Sequence, residues 1–206
     1  MALALTVLPV GCGPKNPDYQ AIWTSTSATS ATSTEAPVPF AQYLESSGVT
    51  GEAVAPDKLT DLTVSIPIPP GWAKVEKPNV ATTTEMIAKG GKIPTAMLTV
   101  FKLNGDFDPA EVVRHCNADA TLAENFKLLN QSGANFNGFP SSMIEGSYDL
   151  KGQRMHTYNR IVIATGPAPA RQRYLAQLAV TSLAEQAAPD AADIQSIIHG
   201  FTVAAA

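Results

Sequence analysis

The cysteines and histidines of this chain are few: Cys12 and Cys116, and His115, His156 and His199. A metal site needs ligands at set spacings, and no His-x-x-x-His, His-Glu or Cys-x-x-Cys pattern occurs. His115 and Cys116 are adjacent in a helix-like stretch, where neighbours point about a hundred degrees apart. That suits neither a nucleophile nor its base. No Gly-x-Ser-x-Gly elbow is present, and Gly90-Gly91 is followed by Lys92-Ile93 instead of the Lys-Ser/Thr of a phosphate loop. The expectation is a protein that is not an enzyme, with no cofactor and no metal.

Cys12 is different, because its surroundings suit covalent modification. It ends an uncharged run, residues 1–11, within "LPVGCGPKNPDYQ". That run reads as the apolar region of a secretory signal, and Gly11-Cys12 at its end resembles a bacterial lipobox. There the thiol accepts a diacylglycerol, and cleavage leaves the cysteine as the first residue. Pro9 occupies the position where such a motif has Leu, with Leu8 one place earlier, and no Lys or Arg precedes Lys15. A start upstream of Met1 would account for the missing positive charge. A short apolar strand and a Cys12–Cys116 disulfide are the competing readings.

After Cys12 comes a segment that cannot form a core. Residues 24–34, "TSTSATSATST", hold only Ser, Thr and Ala, and "EAPVP" follows. Too little apolar surface is available there to offset the entropy of ordering, so residues 12–39 are expected to be a disordered tether. The Ser/Thr/Pro mixture leaves O-glycosylation open. The expected organisation is a signal remnant at 1–11, a lipidated tether at 12–39 and one domain at 40–206.

Composition narrows the partners. The chain has 206 residues, 45% hydrophobic and 16% charged, with a formal charge of -4. No basic face is implied, so nucleic acid is not expected. No apolar run reaches the roughly 18 residues of a membrane-spanning helix.

The domain must then be built from periodic segments. "FAQYLESSGV" puts Phe40, Tyr43 and Leu44 on one helical face, with Gly48 as its stop. "DLTVSIPIPPGW" alternates Leu62, Val64, Ile66 and Ile68, and Pro69-Pro70-Gly71 turns the chain at its end. Trp72 then folds back as a lid on the core, its N–H reaching a carbonyl or water, or stands exposed as an aromatic platform. "TAMLTVFKL" reads as a strand. "DFDPAEVVRHCNADATLAENFKLL" reads as a helix, with Asp108 as cap, Pro109 in the first position and Glu111 completing a capping box. Its inner stripe is Val112, Val113, Cys116, Ala120, Ala123 and Phe126 or Lys127, which makes Cys116 a small buried hydrophobe. "SSMIEGSYDL" and "MHTYNRIVIA" form a hairpin across Lys151-Gly152, and "RYLAQLAVTS" adds a strand. "DAADIQSIIHGF" is a last helix, with Ile194, Ile197, Ile198 and Phe201 inward and Gly200 as its cap. The order indicates an α+β domain with a largely antiparallel sheet.

The hairpin also carries the candidate binding surface: Tyr148, Arg154, Tyr158 and Arg160, with His156 between them. The stiff loop "TGPAPARQR" adds Arg171 and Arg173. Aromatic-plus-Arg surfaces are what interfaces favour. The two tyrosines read equally as amphipathic edges of the core.

Six stretches together carry a wider likeness: "CGPKNPDYQ", "QYLESSGVTGEAVAP", "LTDLTVSIPIPPGW", "TEMIAKG", "FNGFPSSMIEGSYDL" and "RYLAQLAVTSLA". They resemble the mycobacterial LpqT/LpqN lipoprotein family over nearly the whole chain from Cys12. The resemblance implies a Mog1/PsbP-like fold, a lipid anchor at Cys12, and an envelope protein without an assigned enzyme activity. The expected location is the extracytoplasmic side of a cell membrane, with the cell wall or release as further destinations. The expected role is a non-catalytic binding domain for an envelope protein or host receptor. A carrier of an envelope lipid is the alternative, and a hydrolase comes third.

Overall fold

The computed structural model describes residues 37–206. Cys12, residues 13–36 of the expected tether and Trp23 lie outside them. Helix α1 (Phe40–Ser46) leads into strands β1 (Thr50–Ala53), β2 (Leu62–Ser65), β3 (Trp72–Lys74), β4 (Glu85–Lys89) and β5 (Thr95–Asn104). The short helices α2 (Pro109–Val112) and α3 (Ala118–Thr121) precede β6 (Lys127–Ser132), β7 (Ser141–Leu150), β8 (Gln153–Thr165) and β9 (Arg173–Leu183). Helix α4 (Ala191–Gly200) and β10 (Thr202–Ala205) complete the order.

The sheet runs β3-β4-β5-β9-β8-β7-β6, with β1 on the far end of β5. All its neighbours are antiparallel. Strands β2 and β10 form a separate antiparallel pair. The fold is therefore α+β with an antiparallel sheet, as the segment order implied.

Side chains alternate across a strand, so each strand feeds both faces. On one face Leu98, Val100, Val162, Leu178 and Val180 pack with Val64, Ile66, Ile194, Ile197, Phe201 and Val203 of β2, α4 and β10. On the other, Phe101, Ile161, Ile163 and Leu175 pack with Phe40, Leu44, Val112 and Cys116 of α1 and the α2 region. The central strands thus have cover on both sides, which explains the nearly unbroken apolar run of β9.

Four local expectations need correction. The helix begun at Asp108 does not continue to Leu129. Asp108 caps it, accepting the Ala110 N–H at 2.9 Å, but Glu111 turns away to Arg114 at 2.9 Å. After α2 the chain tightens through Val113–His115 and resumes only as α3. Thr121 there returns its hydroxyl to the Ala118 carbonyl at 2.7 Å, the competition that weakens Thr in helices. Second, Lys127-Leu128-Leu129 becomes the start of β6, because pairing with β7 overrides helix propensity. Gly146 permits this: a Cβ there would run into the Phe126 ring. Third, Gly200 is the last helical residue, not a cap beyond it. Its missing side chain matters because a Cβ would sit 2.6 Å from Pro67. Fourth, β2 ends at Ser65, and Ile68 is 44% exposed instead of inward.

Candidate binding site

The hairpin turn is as expected. Lys151 and Gly152 take φ of 50° and 77°, the two positive values of the turn that matches strand twist. Alternation then places Arg154, His156, Tyr158 and Arg160 on one face of β8. Tyr148 pairs with Met155, on the opposite face, and is buried. Burial pushes its phenol up.

The arginines of that face already have partners. Arg154 donates from Nη1 to Asp149 Oδ1 and the Asn125 carbonyl, each at 2.9 Å, and from Nη2 to Ser147 Oγ at 2.7 Å. The Arg154 guanidinium, with the Asn125 amide, holds the Asp149 carboxyl below its usual range. Arg160 donates to Tyr158 Oη at 2.8 Å and Ser141 Oγ at 3.1 Å, and lies 5.0 Å over the Phe136 ring. Arg173 donates to the Phe107 carbonyl at 2.6 Å and stacks on its ring. Of the candidate arginines only Arg171, exposed in the 166–172 loop, projects beyond this framework. The root of that loop is fixed, since a Cβ on Gly166 would meet the Asp61 carboxylate. Burial, helped by Asp61, pushes the nearby Tyr174 phenol up to about 12.

The histidines do not converge. His115 stacks on Tyr43 with ring centroids 3.7 Å apart, His156 lies 3.0 Å from Glu145 Oε1, and His199 is exposed on α4. Cys116 faces the core as expected, and burial pushes its thiol well up. Among the described residues, no group of three or more His, Cys, Asp or Glu could hold a metal ion.

Trp72 covers the end of the sheet at β3 and is 6% exposed. Its Nε1–H donates to Asp193 Oδ2 at 3.2 Å, so the acceptor is a carboxylate of α4 rather than a carbonyl or water. Lys89 on β4 donates to the same Asp193 oxygen at 2.8 Å and to Asp190 Oδ1 at 3.0 Å. The Lys89 ammonium, then the indole, hold the Asp193 carboxyl below its usual value. The two carboxylates in turn raise Lys89.

Beside this clamp opens a groove of about 720 Å³, lined by residues 55–57, 74–78 and 80–86. Its wall is the segment 75–84, shaped by two turns: Val80 N–H to the Lys77 carbonyl at 3.0 Å, and Thr84 N–H to the Ala81 carbonyl at 2.9 Å. Val75, Val80 and Met86 supply apolar lining, and Thr82, Thr83 and Thr84 supply hydroxyls. Lys74 and Glu85 pair at 3.2 Å, while Glu76 and Lys77 are exposed. No helical or strand periodicity marks this segment in the sequence. "KPNVATTT" was the available signal, a long Pro- and Thr-rich connection beside two strands.

The family described as "Probable lipoprotein LpqN" matches residues 36–204. "Putative lipoprotein LpqT" of Mycobacterium tuberculosis is 62% identical over 203 residues, 98% of this chain and 90% of that protein. The "Proline-rich 28 kDa antigen" of the same species is 40% identical over 167 residues, 79% of this chain and 53% of the antigen. The crystal structure of LpqN, "involved in cell envelope biogenesis of Mycobacterium tuberculosis", covers 80% of this chain and 96% of its own. It superposes at a TM-score of 0.67 with 19% identity, a likeness of fold.

Proposed function

The chain belongs to the LpqN family of probable lipoproteins, and from that premise we propose that it is a lipid-anchored, non-catalytic binding protein of the cell envelope. Cys12 carries the acyl group, residues 13–39 are the tether, and 40–206 is the binding domain. The groove at the β3–β4 edge is the observation that carries this reading. It is large enough for a small ligand or an extended segment of a partner. The candidate arginines of the hairpin face, by contrast, are occupied holding the sheet together. LpqN's association with envelope biogenesis supports an envelope partner over a host receptor.

A second reading has its own observation. Val75, Val80 and Met86 give the groove an apolar side, and an envelope lipid could lie against it. A photo-crosslinking residue at Val80 in the full, acylated chain, with Ala170 as the control site, separates the cases. A protein adduct at 80 alone supports the partner reading, and an acyl-mass adduct supports the carrier. Equal labelling at 80 and 170 would remove the groove from consideration.

A further inference from the structure

Six large apolar side chains among the described residues are conspicuously exposed: Val38, Ile68, Ile93, Leu122, Leu128 and Leu129. Three of them fall between residues 122 and 129, at 45%, 50% and 62% exposure. They follow α3 and lie on β6, the terminal strand of the sheet. Val38, 50% exposed, stands two residues before Phe40. The chain enters beside α3, because the Phe40 N–H donates to Asp119 Oδ1 of α3 at 3.0 Å. Helix α3 is in turn fixed over β7, where the Asn117 amide reaches the Met143 carbonyl at 3.5 Å and the Phe126 ring covers Gly146.

We propose that this α3–β6 side lies against the surface of the membrane to which the chain is anchored. The proposal rests on the Cys12 anchor proposed above. The described chain enters on this side, so the apolar patch lies beside the point where the tether joins the domain. Charge does not oppose a headgroup layer: Lys127 and Lys151 are exposed here against Glu124 and the half-buried Asp119, while Asp149 is held by Arg154 and Asn125. The contact is shallow. The outer backbone groups of an edge strand need polar partners, which headgroups and water provide and hydrocarbon does not. Leucines reaching about 5–10 Å into the headgroup boundary meet both conditions. The groove then faces away from the membrane. Seven strands run from β3 to β6, so six spacings of about 4.8 Å separate the two edges by about 29 Å.

The test uses the full acylated chain on vesicles of phosphatidylglycerol and phosphatidylethanolamine. A nitroxide is placed by Leu128→Cys or, as control, by Lys92→Cys in the β4–β5 turn. Collision with a water-soluble nickel chelate is expected to fall several-fold at 128 on vesicles and to stay unchanged at 92. Adding Leu122→Ser and Leu129→Ser should restore access at 128, and a label still shielded in that variant overturns the apolar contact. Equal access at 128 and 92 in chain that sediments with the vesicles overturns the orientation and leaves the anchor standing. Chain that stays in the supernatant overturns both. Shielding at 128 that needs no vesicles and rises with protein concentration assigns the edge to a second copy, and the membrane contact falls.

Discussion

The two edges of the sheet are finished in different ways. At the β3–β4 edge the outermost strand is three residues long, and Trp72 and Lys89 tie it to Asp190 and Asp193 at the start of α4. At the other edge β6 is six residues long and almost wholly exposed, with two leucines, one lysine and a register shift between Leu128 and Asn130. Edge strands invite pairing with other chains unless they are short, bulged, charged or covered. One edge uses shortness and cover, and the other relies on a bulge and a single charge. The contrast teaches where stability is concentrated. The clamped edge is part of the core, and the open edge is free to be a surface.

The sharpest way to break that contrast is Trp72→Ala. Removing a buried indole should lower stability by about 3–5 kcal/mol, read by denaturant or thermal unfolding. A melting point within about a degree of wild type would mean that the β3 end is not core at all. A smaller effect is expected from Asp193→Asn, which keeps an acceptor for the indole but removes the charge facing Lys89. The Asp193 carboxyl is depressed in the fold, so its contribution is present above the ordinary carboxylate value. It is lost as pH falls through the depressed one. The variant should therefore melt lower near neutrality, and its melting point should fall less than wild type's between about pH 4 and about pH 2. Parallel curves for the two proteins would show that the ion pair contributes nothing. The smallest effect is expected from Leu129→Lys on β6, within about 0.5 kcal/mol of wild type. A loss comparable with that of Trp72→Ala would show that the open edge is covered.

The same contrast decides what could be read from residues alone. Trp72 was legible because Pro69-Pro70-Gly71 forces a reversal, and an indole after a reversal has apolar surface to cover. Its acceptor was not, since Asp193 lies 121 residues away and only the docking of α4 brings it near. Strand β6 was illegible for a related reason. Its residues follow a capped helical stripe without a break, and its strand state depends on β7 and on the space left by Gly146. The five hairpin residues make one set in the sequence, but alternation sends Tyr148 to the other face from its neighbours, and Tyr158 is buried in the core rather than presented as surface. The groove escaped because its lining comes from a turn-rich segment without periodicity, and periodicity is the signal that sequence reading uses. Cys12 is the reverse case, a position argued only from the residues around it.

The attachment of Phe40 to α3 has a mechanical consequence. Tension applied at residue 37 passes along the chain, so it loads α1 first and β1 second. Neither lies on the strand path from β3 to β6: α1 is seven residues long, and β1 holds β5 through four paired positions. Both can peel away while β4, β5, β9, β8 and β7 keep their pairing. The domain thus has a fuse between its N-terminal entry and its load-bearing sheet, and because residues 55–57 follow β1 directly, a pull that peels β1 away reaches one wall of the groove next.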